Sequence, residues 1–141
     1  MLMHASCAAR DGLALLLTGA PGIGKSDLLL RLMDRGFVLL ADDQVEIGED
    51  GLARPPARVA GLIEVRGLGI LRHAYCAEAK PVLVATLTHD GVPRLPLPRR
   101  DATLGLPLIA VDPRPASAPR LVEFAFAAAT GRVALESGAF A

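Results

Sequence analysis

The stretch LALLLTGAPGIGKS, residues 13–26, limits what this chain can fold into more than any other feature. Its first six residues, LALLLT, carry almost no polarity, which suits a parallel strand covered on both faces. Gly19, Gly24, Lys25 and Ser26 then satisfy the spacing G-x-x-x-x-G-K-[ST]. Glycines allow the backbone to curl so that successive N–H groups point inward at phosphate oxygens. A helix starting near Lys25 adds its unpaired N–H groups and positive end. The lysine reaches the outer phosphates, and the serine hydroxyl can ligate Mg²⁺. The spacing alone can arise by chance. A buried strand before it and a helix after it supply the required context. Gly19, Ala20, Pro21, Gly22, Ile23, Gly24, Lys25 and Ser26 are therefore read as a nucleotide-phosphate loop. Only Lys25 and Lys80 are lysines; the other thirteen basic residues are arginines. A chain that prefers arginine this strongly keeps lysine where a compact point charge suits the task.

Size and charge narrow the class. At 141 residues, 52% of them hydrophobic, the chain reads as one domain, residues 1–141, with a real core. Formal net charge is zero, so a general positive field for gripping nucleic acid is absent. Cys7 and Cys76 lack metal-ligand spacing and read as small hydrophobes in a reducing compartment. No apolar run has the length of a membrane span. The N-terminus has no basic n-region, and its compact apolar run, Leu13 to Leu17, is too short for a signal peptide. The expectation is a cytoplasmic protein with no membrane and no nucleic-acid partner.

The order of elements reads as α/β. After strand 13–18, a helix is expected from about Ser26 to Arg35, stopped by Gly36. FVLLADD, 37–43, reads as a second buried strand ending in two carboxylates. QVEI, 44–47, alternates like a strand, and GEDGL is a tight turn. The hairpin-like 38–53 segment suggests a mixed sheet. Residues 54–70 read as irregular, 81–89 as a strand, and 91–120 as extended and rich in Pro and Arg. Residues 119–130 read as a helix with Pro at its start and Gly131 after it. The expected fold is a mixed sheet with flanking helices, like that of P-loop NTPases.

Two further constellations carry chemistry. Asp42 and Asp43 end an apolar strand. Ligands in such folds bind outside the carboxyl ends of strands. If strands 13–18 and 37–43 are neighbours, the acid pair shares a rim with Lys25. One acid could then take a proton from an incoming hydroxyl while the other holds Mg²⁺ or its water. Successive strand residues point to opposite faces, so only one of the two is expected to reach the phosphates. In IEVRGLGI, 63–70, Glu64 and Arg66 share a face if the backbone is extended. An acid for metal and a base for phosphate is one reading of that pair; a surface ion pair is the other.

Taken together, GAPGIGKSDLLLRLMDRGFVLLADDQVEI followed by GLIEVRGLGI resembles the catalytic domain of the HPr kinase/phosphorylase family. The resemblance covers residues 13–70 and extends to His4. It implies a Mg²⁺-dependent kinase that moves phosphate from ATP to a serine of the HPr phosphocarrier protein. By the same resemblance, residues 19–26 bind nucleotide with Ser26 on Mg²⁺, Glu64 is a second Mg²⁺ contact and Asp43 deprotonates the target serine, which leaves Asp42 as the acid of the pair that holds Mg²⁺ or its water. His4, Lys25 and Arg94 match active-site positions. The chain resembles the short form of some Gram-negative bacteria, without the extra N-terminal domain. Asp27 stands where the family commonly has Glu. VDPRPASAPR lacks the Gly-Arg pair associated with phosphate removal, so kinase activity is expected and phosphorolysis stays open. A homo-oligomer is also an implied possibility.

Two other readings remain at this point. A small-metabolite kinase would use PRLPLPRRD, 93–101, as an arginine-bearing lid. A non-catalytic nucleotide sensor could lose Asp43 freely, so the intact lysine, serine and acid pair argue against it. Residues 67–76, GLGILRHAYC, are expected beside the phosphate loop, where Leu68, Ile70, Leu71 and Tyr75 either complete the core or form an apolar docking edge.

Overall fold

The computed structural model describes residues 1–141. The strands are β1 (Leu2–Met3), β2 (Ser6–Arg10), β3 (Leu13–Thr18), β4 (Val38–Ala41), β5 (Val45–Ile47), β6 (Ala53–Arg54), β7 (Leu62–Val65), β8 (Gly69–Arg72), β9 (Lys80–Leu87) and β10 (Leu108–Val111). The helices are α1 (Lys25–Met33) and α2 (Ala118–Ala129), with a 3-10 turn at Ala57–Val59.

A two-residue turn sets the sheet. Asp11 and Gly12 have φ of +54° and +77°. Positive φ at both central residues suits the right-handed twist of flanking strands. The turn folds β2 back on β3, with Arg10 opposite Leu13. The five-stranded sheet runs β10-β9-β3-β2-β4. Strands β10, β9 and β3 are parallel, and β2 is antiparallel to both β3 and β4. Strand β4 therefore runs with β3, and four carboxyl ends share one rim.

The mixed α/β sheet expected from the sequence is present, with four corrections. Strands β3 and β4 are not neighbours, because β2 lies between them. The Asp-Gly dipeptide at 11–12 was the signal for that strand. The mixed character comes from β2 and not from segment 38–53, since β5 belongs to a separate sheet ordered β1-β5-β6. Residues 62–72 form a hairpin rather than irregular chain, with Arg66 in its turn, so Glu64 and Arg66 do not share a strand face. The Pro- and Arg-rich region contains β10, whose four apolar residues sit between Pro107 and Asp112.

Alternation explains the layers. Leu15 and Leu17 of β3 face α1 and α2, packing with Leu28, Leu29, Leu32, Leu83, Val122 and Phe126. Ala14 and Leu16 point the other way, toward Leu40, Val45, Ile47 and Ala53. Both helices lie on one face and the three-stranded sheet covers the other. Strands buried on both faces need apolar side chains at every position. No helix is long and apolar enough to cross a membrane.

At the rim opposite the four carboxyl ends, Glu123 of α2 ties the layers together. It accepts hydrogen bonds from Arg10 at 3.1 Å, Arg35 at 2.9 Å and Arg120 at 2.7 Å. Arg10 also lies over the Phe37 ring, 3.9 Å from its centroid. Burial alone would raise the Glu123 carboxyl; hydrogen bonds from Arg120, Arg35 and Arg10 outweigh it and hold the group at about 2, against an ordinary 4.5. A depressed folded-state value contributes stability above the unfolded value, and that contribution fades as pH falls from about 4.5 toward 2. Glu123→Gln should cost about 1 kcal/mol at pH 7, since water partly screens Arg35 and Arg120. Urea melts at pH 7 and pH 3 check this, with the gap to the unaltered chain narrowing at the lower pH.

Candidate active site

Each part of the phosphate loop has a steric or polar reason. Gly19 has φ +141°, and a Cβ there would stand 3.0 Å from the Leu87 carbonyl oxygen and 3.1 Å from Ile23 Cγ2. Gly24, at φ +120°, precedes α1, and no side chain caps that helix. The first-turn N–H groups of α1 are left free to meet an anion. Lys25 is 6% exposed, and its Nζ donates to the carbonyls of Gly19 at 2.9 Å and Ala20 at 3.1 Å. Those bonds hold the ammonium inside the curve of the loop.

Ser26 reaches across to the acid pair. Its Oγ donates to Asp42 Oδ1 at 2.7 Å. Ser6, fully buried on β2, donates to the same oxygen at 2.9 Å. The N–H of Glu64 donates to Asp42 Oδ2 at 3.3 Å. Asp43 follows with φ +70° and turns away from Asp42. An i to i+2 bond from the Gln44 N–H to the Asp42 carbonyl closes the turn at 2.8 Å. Such γ-turns are rare and strained. The surroundings enforce it: the Asp43 N–H donates to Ser6 Oγ at 3.3 Å, and its carbonyl accepts from the Ala5 N–H at 3.1 Å. The Asp43 carboxylate meets His4, Nε2 to Oδ1 3.3 Å, with both side chains more than half exposed.

Cavities open on both flanks of the loop. One of about 290 Å³ is lined by Ser26, Asp42, Asp43, Arg58, Glu64 and Ile70, among others. The other, about 510 Å³, is lined by Ile23, Gly24, Asp27, Arg31, His89, Pro113 and Arg114. A larger apolar groove of about 740 Å³ runs along α2, walled by residues 92–97 and 135–140, and no loop residue lines it. Size is a poor guide here, because the titratable groups converge beside the smaller cavities.

Of the residues singled out from sequence, Lys25, Ser26, Asp42, Asp43, Glu64 and His4 come together on one rim. Arg94 does not join them; it lines the apolar groove. Residues 93–101 line neither cavity beside the loop, so the lid of the metabolite-kinase reading does not cover the site. Ser6 was missed because nothing in its residue type marks it and its strand, β2, carries no strand signal of its own. No group of three or more His, Cys, Asp or Glu side chains could alone hold a metal. Mg²⁺ needs fewer, since it is commonly held by one or two carboxylates plus phosphates and waters. The oxygen donors of Ser26, Asp42 and Glu64 fit that demand.

Comparison with known proteins agrees with this geometry. Residues 1–79 match the family described as HPr Serine kinase C-terminal domain. The HPr kinase/phosphorylase of Clostridium novyi is 46% identical over 72 residues, covering 49% of this chain and 24% of that relative. That of Listeria monocytogenes is 42% identical over 73 residues, covering 49% and 23%. The matched stretch thus spans about a quarter of these relatives. The solved HPr(Ser) kinase/phosphatase of Coxiella burnetii superposes with a TM-score of 0.76 at 27% identity, covering 88% of this chain and 87% of that one.

The strain at Asp43 makes a direct prediction. Asp43→Gly removes the left-handed penalty and loses only an exposed pair with His4, which is worth little. Relief of that strain opposes the entropy a glycine adds to the unfolded chain, so its stability should stay within about 1 kcal/mol of the unaltered chain. A clear fall in melting temperature would show that the Asp43 side chain holds the turn.

Proposed function

The chain belongs to the HPr serine kinase C-terminal domain family, and on that premise we propose that it transfers the γ-phosphoryl group of ATP to a serine hydroxyl of an HPr-like phosphocarrier protein. One observation carries the reading. The Ser26–Asp42 hydrogen bond joins the phosphate loop to the turn that aims Asp43. Lys25 and the α1 N-terminus stabilise charge on the phosphates. Asp43 accepts the proton of the serine hydroxyl as its oxygen attacks the γ-phosphorus and the bond to the ADP oxygen breaks. His4, 3.3 Å from Asp43, orients that carboxylate. Ser26, Asp42 and Glu64 are the residues that would hold Mg²⁺, which when bound neutralises phosphate charge. A metabolite kinase needs a closed cover over the site; the open 290 Å³ cavity suits a macromolecular acceptor instead.

Incubation with labelled ATP, Mg²⁺ and purified HPr tests this, with label expected on HPr. Turnover without HPr would favour the metabolite kinase, and binding without turnover a sensor. Asp43→Asn should bind nucleotide normally and lose transfer, because an amide cannot accept the proton. Lys25→Ala should lose transfer by on the order of 100-fold or more. Near-normal activity in either variant would sink the assigned role.

The hairpin beside the site supplies the acceptor's docking edge. Leu68 is 77% exposed and Ile70 70%, whereas Leu71 packs against the main core. Ile70 also lines the cavity containing Asp43. Leu68→Asp with Ile70→Asp should raise KM for HPr and leave ATP binding intact. Unchanged HPr kinetics would remove the hairpin from the docking surface.

A further inference from the structure

We propose that the cavity between α1 and the loops after β9 and β10 receives the nucleoside of the phosphoryl donor, with His89 and Arg114 as its walls. The inference rests on the phosphate-loop reading and adds to it which flank of the loop the donor leaves by.

The direction follows from the acids. The phosphoryl group to be transferred must face Asp43, on the β4 side of the loop. The cavity there is about 290 Å³, and the incoming hydroxyl must enter it. The rest of the donor therefore leaves on the other flank. The 510 Å³ cavity opens on that flank, shares Ile23 and Gly24 with the loop, and falls within the size range of small-molecule sites. It also sits outside the carboxyl ends of β9 and β10, where folds of this kind bind ligands. The apolar groove along α2 is larger but shares no residue with the loop.

The walls are held in place before any ligand arrives. Arg114 grips Asp112 with two hydrogen bonds, Nε to Oδ1 at 3.0 Å and Nη2 to Oδ2 at 2.9 Å. Its Nη2 also donates to the His89 carbonyl at 3.1 Å. These bonds hold the Asp112 carboxyl down at about 2, so the pair stays ionised across the working pH range. The Arg114 side chain is nevertheless 59% exposed, which leaves a guanidinium face open. The His89 ring stands 3.2 Å from the Ile23 carbonyl through Nε2 and donates there as the Nε2–H tautomer. Planar groups fixed in this way stack on a base with little rotamer freedom left to lose. Pro113 closes the floor against Gly24, and a Cβ on Gly24 would meet its ring at 3.4 Å. The Asp27 carboxylate, 72% exposed, pairs through Oδ2 with Arg31 at 3.0 Å, which leaves Oδ1 to accept from a sugar hydroxyl.

Inorganic triphosphate, which lacks a nucleoside, separates this inference from the reading beneath it. Calorimetric titrations would compare ATP and inorganic triphosphate, each with Mg²⁺, on the unaltered chain and on His89→Ala with Arg114→Ala. The double variant should bind ATP about 10-fold more weakly, the scale of one lost base stack, and bind triphosphate as before. Equal loss of both probes, or loss of neither, overturns the inference. An unaltered chain that binds triphosphate as tightly as ATP overturns it while leaving the phosphate loop standing. A chain that binds neither probe overturns both. Photolabelling the unaltered chain with 8-azidoadenosine triphosphate needs no substitution. Label on residues 88–90 or 112–114 supports the assignment; label on the 62–72 hairpin or the α2 groove overturns it.

Discussion

The Asp42 carboxylate is the point on which the site depends. It accepts from Ser6 on β2, Ser26 on α1 and the Glu64 N–H on β7. Three elements from separate parts of the chain are thereby fixed to one group. Partly buried polar networks of this kind are stable only when every member is paired, and they then allow one arrangement. Without Asp42, the Ser6 hydroxyl would be fully buried with no acceptor, at a cost of about 1–3 kcal/mol. The same group bonds the loop helix to the turn at Asp43, so the spacing between the phosphate loop and Asp43 is set by hydrogen bonds and not by loop flexibility.

The phosphate loop, the strand before it, α1 and the acid pair were all legible, because their signals are local. Gly, Lys and Ser at fixed spacing have one common use, and an apolar run into two acids marks a strand end. What was not legible depended on pairing over distance. β2 reads SCAAR, short of the β-branched residues that mark strands, and it becomes a strand because the Asp11-Gly12 turn lays it on β3. The helix began one residue earlier than expected and ended at Met33, where Asp34 and not Arg35 takes the cap position. Arg94 was chosen by order along the chain, but the long connection from β9 to β10 carries it toward α2. His89 and Arg114 had no motif to flag them; they matter because β9 and β10 end beside the loop.

Rigid and open parts of the molecule are divided cleanly. The central strands β3 and β9 are buried between the helices and the three-stranded sheet, while the candidate site residues gather at one rim of the five-stranded sheet. Lys25 bridges the two regions. Its ammonium is buried against the Gly19 and Ala20 carbonyls, so on the proposed function a phosphate would meet a charge already in place. Such preorganisation spares the site much of the reorganisation that electrostatic stabilisation would otherwise require.

The Glu123 knot has a consequence for how the chain reaches this state. Arg10 and Glu123 are 113 residues apart, and Arg35 and Glu123 are 88 apart. These bonds need α2 docked on the sheet, and α2 is the last element of the chain, so the knot is complete only in the fully assembled fold. The β2–β3 hairpin and the loop helix involve near neighbours and can form well before. The knot thus clasps the first strand pair to the last helix, at the end of the sheet opposite the phosphate loop.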